Sequence, residues 1–401
     1  MTRQVVLLAG GRGTRLGERS KTIPKPLIAV AQKPFIQYLV EEYRRFGFKH
    51  FLVLAGHLGD QFQSFFASQS ATEIAVKVLV EPKPMGTGGA LRFAQAQLED
   101  TFLLANADSL FAVNYLDLVR PPSEPNWLGK IALRWIEEAD RYGAVVTSGE
   151  RVTGFRERGD GGRGLINGGV YLLRREIIDQ IGDGEVSLER DVFPPLAERG
   201  RLYGQVLAGP FIDIGVPDAL AAAERMVPEI VTRPAAFLDR DGVLNVDKNY
   251  VCRPEDFEWI AGAKQAIKRL NDIGYLVIVV TNQAGVARGY YREDDVRALH
   301  GAIAEQLRHE GAHVDAFYYC PHHADGIVEP YARECDSRKP KPGMILRAMR
   351  EWPVRRAGSF LIGDKQSDIE AGRRAGIPAH LFRGGNLQEF LERLLQELRP
   401  H

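Results

Sequence analysis

Cysteine is almost absent. Three residues in 401 (Cys252, Cys320 and Cys335) cannot build a disulfide framework, so a reducing cytoplasm is the expected setting. Charge of one sign is absent too: 52 Lys plus Arg balance 52 Asp plus Glu. No net basic field therefore draws the chain to nucleic acid or to anionic lipid, and positive charge must act locally, in sites. No apolar run reaches the roughly 18 residues that a spanning helix needs. The run at 5–9 is too short for the apolar core of a signal peptide and passes straight into a glycine loop. Internal repeats and low-complexity tracts are missing, hexapeptide repeats included. These absences leave small-molecule substrates as the expected partners, with homo-oligomerisation open.

Short apolar runs alternating with helical patterns fill the chain, the signature of α/β layering. Strands are expected at 5–9, 50–55, 74–80 and 101–105. A helix over 35–46 would put Phe35, Ile36, Leu39, Val40, Tyr43 and Phe46 on one stripe. A helix near 219–226 closes the first unit, and the segment bounded by Pro228 and Pro234 reads as a linker. New apolar strands at 235–238, 275–280 and 359–362 open a second unit, with helices at 261–271 and 293–309. Their near-continuous apolar character fits a parallel sheet covered on both faces. The expected organisation is two Rossmann-like α/β domains: 1–229 on a mixed sheet, a linker at 230–234, and 235–401 on a parallel sheet.

Two sites stand out. After the first strand comes Gly10-Gly11-Arg12-Gly13-Thr14-Arg15-Leu16, then Pro24-Lys25-Pro26. Glycines at a strand exit let backbone N–H groups approach phosphate, and Arg12, Arg15 and Lys25 make the loop a basic pocket of triphosphate size. The second site begins with Asp239-Arg240-Asp241 directly after an apolar strand, at the sheet edge where open α/β folds bind ligands. Thr281-Asn282-Gln283, Arg338-Lys339-Pro340 and Gly363-Asp364-Lys365 lie at or near the ends of later apolar runs.

The first set of motifs resembles the sugar-1-phosphate nucleotidyltransferase family, in order, to about residue 225. The resemblance implies that Gly10, Gly11, Gly13 and Thr14 cradle the nucleotide, with Glu81, Gly86 and Thr87 at its base and ribose. It implies that Asn167, Gly168 and Glu189 bind the sugar, and that Asp108 and Asp213 hold magnesium. Arg15 would hold the leaving pyrophosphate and Lys25 the α-phosphate region. Both reactants are anions, so such chemistry is mostly charge neutralisation and alignment, and an ionised sugar phosphate needs no general base. Where the family commonly has Phe-x-Glu-Lys, this chain has Phe155-Arg156-Glu157-Arg158; Arg keeps the charge but not the compact ammonium, so a sugar-phosphate contact of different geometry is expected there.

The second set resembles the haloacid dehalogenase superfamily of phosphatases over nearly all of 235–385. By that resemblance Asp239 is the nucleophile and Asp241 the acid and then base. Thr281 bonds the phosphoryl oxygens and Lys339 offsets their charge, with Lys341 as a rival. Asp364 completes a magnesium site with Asp239 and the Asp241 carbonyl; Asp368 is either an outer carboxylate or a helix cap. The runs around Asp247-Lys248-Asn249-Tyr250, Asn282-Gln283 and Cys320-Pro321-His322-His323 look like the D-glycero-D-manno-heptose 1,7-bisphosphate 7-phosphatases, with histidinol-phosphate phosphatase the nearest competitor. Those four residues with Asn282, Gln283, Arg338 and Lys365 would recognise substrate. The family's structural zinc would fall on Cys320, His322 and Cys335, but Ser337 stands where a fourth ligand belongs, so zinc stays open. Together the resemblances imply a bifunctional enzyme that dephosphorylates heptose 1,7-bisphosphate at C7 and transfers a nucleotidyl group, expected to be GMP from GTP, to heptose 1-phosphate. Two rivals stay open: a mannose- or glucose-1-phosphate transferase fused to another phosphatase, and a non-catalytic sensing module on an active phosphatase.

Overall fold

The computed structural model describes residues 2–398 apart from 12, 18, 69–73, 138–143 and 157–162. The chain divides into two compact units, Met1–Val231 and Thr232–His401.

The first unit is built on nine strands: β1 (Gln4–Ala9), β2 (His50–Ala55), β3 (Ala75–Val80), β4 (Thr101–Asn106), β5 (Gly129–Ile136), β6 (Ala144–Ser148), β7 (Arg151–Arg156), β8 (Gly164–Arg174) and β9 (Leu202–Val206). Their order across the sheet is β3-β2-β1-β4-β8-β5-β9-β7-β6. Strands β3, β2, β1 and β4 run parallel, and β8 enters antiparallel to β4, which makes the sheet mixed. Val5, Val6 and Leu7 on β1 are fully buried, as an apolar run covered on both faces requires. The expected helix runs Phe35–Arg45, and all six residues of its predicted stripe, Phe46 included, are buried.

A separate antiparallel pair, Ser109–Phe111 with Phe211–Asp213, sets Asp213 opposite Ser109. That short pairing brings two sequence-distant aspartates, Asp108 and Asp213, to one place. The unit's last helix extends past the expected end near Met226, through Pro228 to Val231. The proline is accommodated because Val227 and Ile230 bury the helix face on either side of it. Most of the expected linker is therefore not free chain. Ile230 and Val231 are helical, and the Arg233 backbone exchanges hydrogen bonds with Pro353 and Arg355.

The second unit has five parallel strands: β10 (Ala235–Leu238), β11 (Leu276–Asn282), β12 (Ala316–Cys320), β13 (Phe360–Gly363) and β14 (Ala379–Leu381). They are ordered β12-β11-β10-β13-β14, so the first strand lies in the middle. Reversal of strand order on either side of β10 creates the crevice where such sheets bind ligands, at the strands' C-terminal ends. Helices Ala263–Asp272 and Glu293–His309 are among those that cover it. Among the described residues no helix is long and apolar enough to cross a membrane.

Candidate active sites

In the first unit a cavity of about 600 Å³ opens beyond β1 and β4. Gly10, Gly11, Glu81, Gly86, Thr87, Asp108 and Glu189 line it, together with Asn106 and Glu185. The Glu81 carboxylate lies directly against Gly10, where a Cβ would have to displace it. Gly86 takes φ +70°, and a Cβ would strike the Val186 carbonyl. Burial raises the Glu81 carboxyl above its ordinary range, and the Met85 N–H that it accepts pulls it back.

Lys25 is buried, with its ammonium 2.5 Å from Asp108 Oδ2 and 3.6 Å from Asp213 Oδ1. Asp213 is pushed up by burial and then by Asp108, with Lys25 and the Gly215 N–H opposing. Two adjacent carboxylates that one lysine does not fully neutralise suit a divalent cation. Glu189 forms the hub of a polar chain: Thr87 and Ser187 donate to Oε2 at 2.9 and 3.0 Å, and Tyr171 donates to Oε1 at 3.3 Å. Asn167 in turn donates to the Tyr171 hydroxyl at 2.9 Å. Asn167 thus joins the site through Tyr171 rather than by lining the cavity. Gly168 is fixed by packing, because a Cβ would run into the Phe111 ring. Gly13, φ +60°, turns the loop against Ser20 and Lys25, and Thr14 opens the 3₁₀ turn that carries Arg15. Arg15 is exposed and does not line this cavity. Arg12, Glu157 and Arg158 lie outside the described residues.

In the second unit a cavity of about 380 Å³ sits at the crevice. Asp239, Asp241, Thr281 and Lys339 line it with Asp247, Asn249, Tyr250, Asn282, Gln283, Arg338 and Lys365. Lys248 does not; its ammonium pairs with Glu258 at 2.9 Å instead. Arg288, Tyr291, His323 and Ser367 also line it and were not singled out as site residues, and Asp368 lines it too. His323 stood inside a motif already in view, but nothing in its spacing indicated which way it faces.

Asp239 is nearly buried. Its Oδ1 accepts from the Arg240 N–H at 2.7 Å and lies 2.9 Å from the Lys339 ammonium. Lys339 also meets Asp368 Oδ1 at 2.5 Å and donates to the Val280 carbonyl at 2.9 Å. Burial pushes the Asp239 carboxyl up, Lys339 opposes that, and Asp368 adds to it. Lys341 pairs with Glu334 and Asp336 and does not line the cavity, whereas Lys339 does. Thr281 Oγ1 accepts from Gln283 Nε2 at 2.9 Å.

Asp239, Asp364 and Asp368 bring carboxylate oxygens within 4.8 Å of one another, and Asp364 Oδ1 is buried without a hydrogen-bond partner. That donor set suits magnesium. The Asp241 carboxylate turns to Arg240, Asn245 and Gln283 instead, so only its main-chain carbonyl remains for the metal role expected of it. Asp368 fills both readings offered for it. Its Oδ2 accepts from the Lys365 N–H at the helix start, while Oδ1 faces Lys339.

Cys320, His322 and Cys335 also cluster within 4.8 Å, a set that could hold zinc. Cys320 Sγ lies 3.8 Å from His322 Nδ1, and burial pushes its thiol up to about 12. Ser337 donates its backbone N–H to Cys335 Sγ at 3.4 Å.

The likeness to known proteins follows the two units. Residues 4–229 match the family described as nucleotidyl transferase, and residues 337–400 match the HAD-hydrolase-like family. Over 167 residues the chain is 48% identical to the D-glycero-beta-D-manno-heptose-1,7-bisphosphate 7-phosphatase of Rhodopseudomonas palustris, covering 42% of this chain and 93% of that one. Over 143 residues it is 46% identical to the D-glycero-alpha-D-manno-heptose-1,7-bisphosphate 7-phosphatase of Photorhabdus laumondii, covering 36% of this chain and 78% of that one. The structure of HddC from Yersinia pseudotuberculosis, complexed with GMP-PN, superposes with a TM-score of 0.51 at 29% identity over 56% of this chain and 99% of that one. The chain belongs to the nucleotidyl transferase family through its first unit and, through its second, to the HAD-like phosphatases that include these heptose-bisphosphate enzymes.

Proposed function

We propose that the chain makes a nucleotide-activated heptose in two consecutive steps in the cytoplasm. The second unit removes the 7-phosphate of D-glycero-D-manno-heptose 1,7-bisphosphate. The first unit then joins the resulting heptose 1-phosphate to GMP from GTP, releasing pyrophosphate. The observation that carries this reading is that one chain joins a nucleotidyl transferase unit to a unit resembling heptose-1,7-bisphosphate 7-phosphatases, whose reaction would leave a sugar 1-phosphate for the first unit to use.

In the second unit Asp239 attacks the phosphoryl group and Asp241 protonates the leaving sugar oxygen, then takes a proton from the water that frees phosphate. Thr281 and Lys339 receive the phosphoryl oxygens. Asp239, Asp364 and Asp368, with the Asp241 carbonyl, would hold magnesium, whose charge offsets that of the phosphoryl group. Asp247, Asn249, Tyr250, Gln283, Arg338 and Lys365 grip the sugar phosphate around it.

In the first unit Lys25 would meet the α-phosphate region, Arg15, exposed on the glycine loop, would hold the leaving pyrophosphate, and Asp108 with Asp213 would hold magnesium. Glu189 faces the sugar, held by Tyr171, to which Asn167 donates. Glu81 supports guanine as the base. Guanine presents an N1–H and an N2 amino group side by side, a donor pair that a carboxylate accepts and that adenine, cytosine and uracil lack. The relative HddC is complexed with GMP-PN. The test offers each heptose 1-phosphate anomer with GTP, ATP, CTP and UTP and identifies products by mass. GTP should be turned over preferentially, and Glu81→Gln should erode that preference. Preference for another base, or no product from any of them, would overturn the reading.

A further inference from the structure

Arg240 separates the two catalytic aspartates in sequence, and its side chain is completely buried, at 0% exposure. A guanidinium removed from water without a counter-charge is strongly disfavoured, so its partners reveal what it is there for. Nη2 donates to Asp241 Oδ2 at 2.9 Å and to Oδ1 at 3.0 Å, and Nε donates to Oδ1 at 3.2 Å. The same Nη2 donates to the Val251 carbonyl at 2.7 Å. Val251 ends the turn whose Asp247, Asn249 and Tyr250 line the cavity. In that turn Asn249 and Tyr250 take φ +61° and +57°, left-handed values that side chains seldom adopt and that an outside anchor helps to hold. Asp241 has two neutral donors besides, Asn245 and Gln283, each at 3.0 Å. Among the described residues only Arg240 brings charge to it within ion-pair distance.

We infer that Arg240 is a positioning residue that holds the acid–base carboxylate of Asp241 and the substrate-facing turn at 247–251 in one register. The inference rests on the phosphatase reading of this site. A lysine could supply the charge but not the planar fork that reaches a carboxylate and a carbonyl together. In the first half-reaction a bond forms between Asp239 and phosphorus as the bond from phosphorus to the sugar oxygen breaks, and that oxygen takes the Asp241 proton. In the second, water gives a proton to Asp241 while its oxygen displaces Asp239 from phosphorus. The first proton transfer matters for a sugar alkoxide, which is a poor leaving group, and little for p-nitrophenolate.

The experiment compares kcat/KM, which reports steps through the first phosphoryl transfer, for heptose 1,7-bisphosphate and p-nitrophenyl phosphate. The variants are Arg240→Lys, Arg240→Met and Asp241→Asn. The inference predicts a fall of ~10² or more on the sugar phosphate for all three, against less than ~10-fold on the aryl phosphate. Equal losses on both substrates, as from a merely structural arginine or a variant that fails to fold, would overturn it. So would full activity of Arg240→Lys on the sugar phosphate. Failure of the underlying reading looks different: the unaltered protein would hydrolyse neither compound, or Asp239→Asn would keep its turnover.

Discussion

Lys339→Met tests the electrostatics of the second site most severely. The lysine is 4% exposed and directs its ammonium to three acceptors: Asp239 at 2.9 Å, Asp368 at 2.5 Å and the Val280 carbonyl at 2.9 Å. Methionine keeps the stem's volume but leaves two buried carboxylates facing each other and a carbonyl without its donor. Breaking a buried ion pair from one side costs ~3–5 kcal/mol. For a unit of this size ~2–4 °C is lost per kcal/mol, so its thermal midpoint should fall by roughly 6–20 °C in the presence of a chelator. Phosphate release should also fall by ~10²–10³, because a charge that stabilises the transferring phosphoryl group is gone. Adding Asp368→Asn to Lys339→Met removes one uncompensated charge, so it should recover part of the stability and none of the turnover. Calorimetry that resolves the two units' transitions, with a phosphate-release assay, checks both halves. An unchanged midpoint, or turnover within threefold of normal, would refute the assignment of Lys339 as the buried counter-charge.

Three further outcomes are expected. Asp108→Ala should lower nucleotidyl transfer by at least ~10² while phosphate release from the bisphosphate continues at its normal rate, read by separate pyrophosphate and phosphate assays. Ser337→Cys should raise zinc per chain, measured by elemental analysis after purification without chelator, because a fourth sulfur closes the three-ligand set; no gain would mean the loop is held by packing. His300, buried and stacked 4.4 Å from Phe317, is held down to about 3, by burial first and then by Arg240. The unfolded chain takes a proton there below ~6.5 and the folded one does not, so this residue withdraws stability as pH falls from about 6.5 towards 3. His300→Phe should therefore gain on the unaltered protein in denaturant midpoint as pH drops from 7 to 4, and a difference constant over that range would contradict the burial argument.

What was legible in the sequence follows the physics of each signal. The strand carrying Asp239 was readable because four apolar residues, 235–238, end abruptly in charge, and the structure places that strand at the centre of its sheet. The stripe at 35–46 was readable because six apolar positions keep helical phase. Lys248 was misjudged because a motif carries residue order but not side-chain direction inside an irregular turn. The helix end near Met226 was misjudged because Pro228 reads as a breaker, whereas burial of Val227 and Ile230 outweighs its missing N–H. Arg240 went unnoticed because it occupies the unspecified position of Asp-x-Asp, and only three-dimensional contact shows that it grips Asp241. Tyr171, the link between Asn167 and Glu189, was not legible, because a hydrogen-bond relay leaves no periodicity to read.

The central claim is that the two sites act in sequence, and one measurement addresses it. Asp239→Asn is incubated with heptose 1,7-bisphosphate, GTP and magnesium, and products are followed by mass, with and without added heptose 1-phosphate. The account predicts no GDP-heptose from the bisphosphate alone and normal formation once heptose 1-phosphate is supplied. Accumulation of a GDP-heptose that still carries its 7-phosphate would show that transfer precedes dephosphorylation, and would contradict it.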